Sequence, residues 1–167
     1  MARRASPLAA LRLLVLDVDG VLTDGRLYFG PRVEALKVFH VRDGPGIKAL
    51  TRAGVTVAVI SGRRSAAVAR RCRELGIREV HQGIANKAKA YAALIARLGI
   101  GTAASACIGD DTPDLPVMLQ AGFAVAVADA HPTVRRAAHR CTRAAGGCGA
   151  VREVCDWLLA ARGADAR

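Results

Sequence analysis

Leu13-Leu14-Val15-Leu16-Asp17-Val18-Asp19-Gly20-Val21 sets the reading of this 167-residue chain. Four consecutive apolar residues that stop at an aspartate have the length and continuity of a strand buried on both faces. The same pattern returns at Val55 to Ile60, Ser105 to Ile108 and Ala124 to Val127, and more weakly at Glu79 to His81. Amphipathic stretches lie between these runs, at Gly46 to Ala53, Ser65 to Leu75, Lys87 to Leu98 and Asp114 to Ala121. Gly54, Gly76, Gly99 and Gly122 read as helix stops. Such alternation predicts an α/β fold, a Rossmann-like doubly wound parallel sheet with helices on both sides. Arg26 to Phe29, Gly30-Pro31 and Ala35 to Val41 read as a β-hairpin flap directly after the first strand. Val151 to Ala161 reads as a last helix behind the loop Gly146-Gly147-Cys148-Gly149. A single domain over residues 11–162 is expected, with an N-terminal arm at 1–10 and a C-terminal tail at 163–167.

Composition narrows the class. Apolar residues make up 52% and charged residues 23%, the balance of a globular chain that buries a core. No run is long and apolar enough for a membrane span. Leu8 to Leu16 is interrupted by Arg12 and followed by no small-residue cleavage site, so it does not read as a signal peptide. The formal net charge of +11 attracts anions, but aromatics at 4% leave few stacking platforms for nucleic acid. Cys72, Cys107, Cys141, Cys148 and Cys155 are odd in number and contain no CxxC pair, which points to reduced thiols in a cytoplasm rather than zinc or disulfides.

Acidic residues carry the chemistry. Six of the aspartates fall in two windows, Asp17, Asp19 and Asp24, then Asp110, Asp111 and Asp114. In open α/β sheets ligands sit beyond the carboxyl ends of the strands. Asp17 and Asp19 follow the first strand, Ser61-Gly62-Arg63 another, Asp110-Asp111 a third, and Lys87 opens a helix. Two carboxylates one residue apart at a strand end repel unless a hard cation such as Mg²⁺ lies between them, and Asp110 supplies a further oxygen. A carboxylate beside that cation is placed to attack phosphorus, while Lys87, Ser61 and the N–H groups near Gly62 hold phosphoryl oxygens. Asp19 is then placed to move the proton. Asp17-x-Asp19-Gly20 also suits the opening of a calcium loop, but Val21 and Tyr28 occupy ligand positions of that loop.

Leu16 to Gly25, Ile60 to Arg63, Lys87, and Gly109-Asp110-Asp111-x-x-Asp114 resemble the four motifs of the haloacid dehalogenase-like phosphatases. Phe39 to Gly44, Gln82-Gly83-x-x-Asn86-Lys87, Pro116 to Met118, Val125 to Pro132 and Gly149 to Asp156 resemble the capless subfamily of 3-deoxy-D-manno-octulosonate 8-phosphate phosphatases, and the likeness covers residues 11 to 158. It implies Mg²⁺-dependent hydrolysis of a keto-deoxy sugar acid phosphate through an aspartyl-phosphate, within lipopolysaccharide biosynthesis. Asp17 would be nucleophile and metal ligand. Asp19 would be acid/base, substrate contact and metal ligand through its carbonyl, and Asp110 the third metal ligand. Ser61 and Lys87 would hold the phosphate, with Asp111 and Asp114 supporting. Substrate contacts in the subfamily match His40, Val41, Arg42, Asp43, Gly44, Lys48, Arg63, Arg71 and Lys87. His40 stands where asparagine is common, and Lys48 and Cys148 where arginine is.

Spacing adds that no cap domain fits, since 44 positions separate Asp17 from Ser61 and 23 separate Lys87 from Asp110. The resemblance implies a homotetramer that closes the site, with Leu27, Tyr28, Phe29, Val38 and Phe39 of the flap as the apolar surface. Neither nucleic acid nor membrane is an expected partner. Three alternatives stay open: a phosphatase for a nine-carbon keto-deoxy sugar acid, a phosphorylation-switched receiver, and a noncatalytic regulatory subunit.

Overall fold

A computed structural model describes residues 7–31 and 34–163. The expected arm and tail therefore lie mostly outside the described residues; Pro7–Ala10 forms one 3₁₀ turn. The strands are β1 (Leu13–Leu16), β2 (Tyr28–Phe29), β3 (Glu34–Leu36), β4 (Thr56–Ser61), β5 (Glu79–Gln82), β6 (Ser105–Gly109), β7 (Phe123–Ala126) and β8 (Arg140–Cys141). The helices are α1 (Asp43–Arg52), α2 (Ala66–Leu75), α3 (Lys87–Leu98), α4 (Leu115–Met118), α5 (Pro132–Ala137) and α6 (Ala150–Ala161). Among the described residues, six strands form one parallel sheet in the order β5-β4-β1-β6-β7-β8. No helix there is long and apolar enough to cross a membrane.

All four residues of β1 are buried, as a continuous apolar run in a two-sided layer requires. Helix α1 packs against α2 and α6, while α3, α4 and α5 touch in series. The chain winds outward from β1 through β4 to β5, then returns across the sheet to β6, so the winding reverses between β1 and β6. Leu16 is level with Ile108 and Val59, which brings the residues after β1, β4 and β6 to one edge. That reversal opens the crevice where such sheets bind ligands.

The antiparallel pair β2–β3 forms the flap, with Tyr28 opposite Leu36. Its return strand ends at Leu36, short of the expected Val41. Helix α1 begins at Asp43, earlier than the expected Gly46, because the glycines serve packing. A Cβ on Gly44 would lie 3.0 Å from Arg71 Nη2, and one on Gly46 2.8 Å from Arg152 Cδ. Gly76 and Gly99 cap their helices in the left-handed region. Gly122 does not stop a helix: α4 ends at Met118, and a Cβ at Gly122 would sit 2.5 Å from the Ala103 carbonyl oxygen.

Candidate active site

Asp17 leaves β1 with its N–H on the Ile108 carbonyl (3.2 Å), which ties it to β6. The following residues turn tightly, Val21 and Thr23 both donating to the Val18 carbonyl at 3.2 and 3.0 Å. Gly20 has φ +90°, and a Cβ there would fall 2.0 Å from Asp110 Oδ2. The missing side chain thus lets the Asp110 carboxylate lie on the first acidic loop. From the other side, Gly146 stacks on Gly20: a Cβ on Gly146 would come within 1.8 Å of the Gly20 carbonyl oxygen. Gly147 donates to the Val21 carbonyl at 3.0 Å.

Lys87 is the first residue of α3, where the Asn86 side chain caps the Lys89 N–H at 2.9 Å. The buried Tyr91 hydroxyl anchors that helix to Ser105 on β6 at 2.6 Å. A cation at a helix N-terminus opposes the helix dipole. Here two carboxylates offset it, with Lys87 Nζ 2.7 Å from Asp17 Oδ1 and 2.7 Å from Asp114 Oδ1. Asp114 Oδ2 accepts the N–H groups of Asp110 (3.0 Å) and Asp111 (3.3 Å). Burial would pull the Lys87 ammonium down, but the charges and hydrogen bonds of Asp17 and Asp114 outweigh it and raise it. Burial, then the charge of Asp114, raises Asp17 to about 6. Burial, then Asp17, Asp114 and Asp111, raises Asp110 to about 8.

Asp17, Asp110 and Asp114 each present a carboxylate oxygen, and these lie within 4.8 Å of one another. Two buried carboxylates and one half-buried one against one ammonium leave an excess of negative charge that a divalent cation neutralises, so the donor set fits Mg²⁺. The family resemblance puts the Asp19 carbonyl in that set. The structure gathers the Asp114 carboxylate, whose oxygens are already engaged by Lys87 and two backbone N–H groups. Lys87 engages Oδ1 of both Asp17 and Asp114. Asp111, expected to orient Lys87 or metal-bound water, is exposed and caps the Thr112–Asp114 turn through the Thr112 N–H at 2.7 Å.

Asp19 turns its carboxylate toward cations. Lys37, just past β3, donates to Oδ1, and Arg63 Nε is 3.8 Å from Oδ2. Lys37 was missed in the sequence because it sits in a segment read only as the flap's return strand. A lone lysine among Leu36, Val38 and Phe39 was the available signal. Ser61 is buried at the end of β4, its hydroxyl accepting the Arg63 N–H at 3.4 Å. Gly62, Asn86 and Lys87 face Pro113 and Pro116 across a cavity of about 610 Å³.

The remaining expected substrate contacts gather elsewhere. Val41, Gly44, Lys48 and Arg71 line a separate cavity of about 390 Å³ between α1 and α2. His40 Nδ1 accepts the Arg42 N–H at 3.3 Å. Asp43 is buried, with Oδ1 accepting the Arg152 N–H of α6 (2.9 Å) and Oδ2 unpartnered. Burial raises its carboxyl above the ordinary value.

Residues 74–152 match the family model of haloacid dehalogenase-like hydrolases. The chain is 51% identical over 153 residues to 3-deoxy-D-manno-octulosonate 8-phosphate phosphatase KdsC of Escherichia coli (strain K12), covering 92% of this chain and 81% of that one. It therefore belongs to the 3-deoxy-D-manno-octulosonate 8-phosphate phosphatase family of those hydrolases. The crystal structure of that phosphatase from Yersinia pestis superposes with a TM-score of 0.92 at 49% identity, covering 94% of this chain and 85% of that one. The Moraxella catarrhalis phosphatase, solved with magnesium ion, phosphate ion and KDO, superposes with a TM-score of 0.91 at 40% identity, covering 94% and 90%.

Proposed function

We propose that the chain hydrolyses 3-deoxy-D-manno-octulosonate 8-phosphate to the free sugar acid and phosphate, with Mg²⁺, in lipopolysaccharide biosynthesis. The observation that carries this is the crowding of Asp17, Asp110 and Asp114 around Lys87 at the sheet edge, in a chain half identical to phosphatases of that name. Asp17 attacks phosphorus; the phosphorus–oxygen ester bond breaks, its electron pair stays on the sugar oxygen, and Asp19 gives that oxygen a proton. Asp19 then takes a proton from water as the water attacks the aspartyl-phosphate, releasing phosphate and restoring Asp17. Lys87 and the Ser61 hydroxyl hold the phosphoryl oxygens. Asp17, the Asp19 carbonyl and Asp110 would hold Mg²⁺, which when bound supplies charge neutralisation for the phosphoryl group.

The sugar acid end falls to His40, Val41, Arg42, Asp43, Gly44, Lys48, Arg63 and Arg71 on this reading, and the cations among them suit its carboxylate. Assembly as a homotetramer is supported by the exposed flap, where Phe29 is 68% and Val38 54% exposed. We read the compartment as the cytoplasm, a reading supported by five free cysteines. The test is turnover of the octulosonate phosphate with Mg²⁺ and with EDTA, alongside a folded Asp17→Asn variant. Phosphate release that needs Mg²⁺ and vanishes in the variant is expected. Release that persists in either control removes the assignment.

A further inference from the structure

Lys37 is the most deeply buried cationic side chain at the sheet edge that the reaction above leaves without a task. Its side chain is 2% exposed, whereas the flap that delivers it is open to solvent, Leu36 next to it being 49% exposed. Removing an ammonium from water costs on the order of several kcal/mol unless a partner compensates. Asp19 Oδ1 is such a partner, with Arg63 3.8 Å from Oδ2. Each of the two acidic positions after β1 thus has its own lysine. Lys87 comes to Asp17 from α3, and Lys37 comes to Asp19 from the flap.

The geometry points to Lys37 as a positioning residue for the Asp19 carboxylate, fixing the direction in which it meets the leaving oxygen. This rests on the phosphatase reading, because Asp19 is the group that protonates that oxygen. Lys37 itself touches Asp19, not the reacting atoms. Its loss should therefore be felt in proportion to how much the departing oxygen needs a proton. A sugar alkoxide needs one as the ester bond breaks. Nitrophenolate departs as the anion, carrying the bond's electron pair without protonation.

The experiment compares kcat/KM, which reports the phosphoryl-transfer half, for the octulosonate 8-phosphate and for p-nitrophenyl phosphate. Wild type, Lys37→Met and Lys37→Arg are measured with Mg²⁺ once thermal unfolding shows each is folded. General acid catalysis contributes about 10²–10⁴-fold, so Lys37→Met is expected to lose about 30-fold or more on the sugar ester. On the aryl ester the same dependence predicts a loss below about 3-fold, and Lys37→Arg regains most of the sugar-ester activity. Equal losses on both esters, or none on either, overturn the inference. Lys37→Gln takes the same comparison if the methionine variant fails to fold. A wild-type protein inactive on both esters sinks the phosphatase and the inference together; an active one whose Lys37 variants do not distinguish the esters sinks the inference alone.

Discussion

At Lys87 one ammonium answers three carboxylates, and the shortfall shows as protons held too tightly. The folded-state values of Asp17 (about 6) and Asp110 (about 8) lie above the ordinary carboxylate value of 3.8. A raised carboxyl destabilises the fold while it is ionised, and that penalty lifts as pH falls through the folded value toward the unfolded one. Metal-free protein is therefore expected to melt higher at pH 5 than at pH 8, by about 2–4 °C for each kcal/mol recovered. Below that window Glu74 and Glu79 oppose the trend, since arginine hydrogen bonds lower both and their contribution is lost on protonation. Thermal scans in EDTA and in Mg²⁺ test this, and Mg²⁺ should flatten the profile; a metal-free Tm that falls from pH 8 to 5 contradicts it. At this scale the four motif positions were legible because each follows an apolar strand or opens a helix. Lys37 was not, because its partner is 18 positions away and on another element.

Between elements, the tightest fit has no side chains in it. The Asp110 carboxylate, Gly20 and Gly146 are stacked so closely that a methyl group at either glycine would overlap its neighbour. Gly146→Ala has to push back the Gly20 carbonyl, and with it the loop between Asp17 and Asp24. Gly76→Ala is the control: its φ is +74° but a Cβ there meets nothing within 4 Å. The control should lose about 1 kcal/mol of stability in urea and keep its Mg²⁺ requirement. Gly146→Ala should lose more and need about tenfold more Mg²⁺ for half-maximal turnover, 1.4 kcal/mol of lost affinity being one factor of ten. Equal Mg²⁺ requirements in the two variants would show the stack to be idle.

The regular elements between these contacts were readable where they were long. Strand β1 and helix α3 have the bounds their apolar pattern predicted. Helix α5 and strand β8 were not foreseen. A six-residue helix opened by Pro132 is too short to show a period, and a two-residue edge strand shows no alternation. What holds β8 is its pairing with β7 and a tertiary contact, Arg140 lying 3.7 Å from the Trp157 ring centre on α6.

For the molecule as a whole, the flap is the surface that bears on assembly. Leu27, Tyr28, Phe29, Leu36, Val38 and Val41 are all exposed, Val41 to 76%. Large apolar residues exposed along one segment suit contact with another protein surface. Sedimentation should therefore give a species well above the 17.4 kDa of one chain, four-fold if the proposed tetramer forms. Phe29→Ser with Leu36→Ser should return it toward one chain and lower turnover; a wild-type monomer at full activity rules the assembly out.

The loop at Gly146 and Gly147 has a consequence for how the protein is made. The ribosome delivers Asp17 early and the glycines that seat on its loop late, after β6 has already been synthesised. Until those glycines are added, a nascent chain therefore carries Asp17, the proposed nucleophile, without the loop that seats against it. On the proposed mechanism, competence waits for Gly146 and Gly147 to seat on that loop, so chains released before these residues are added should show no phosphate release.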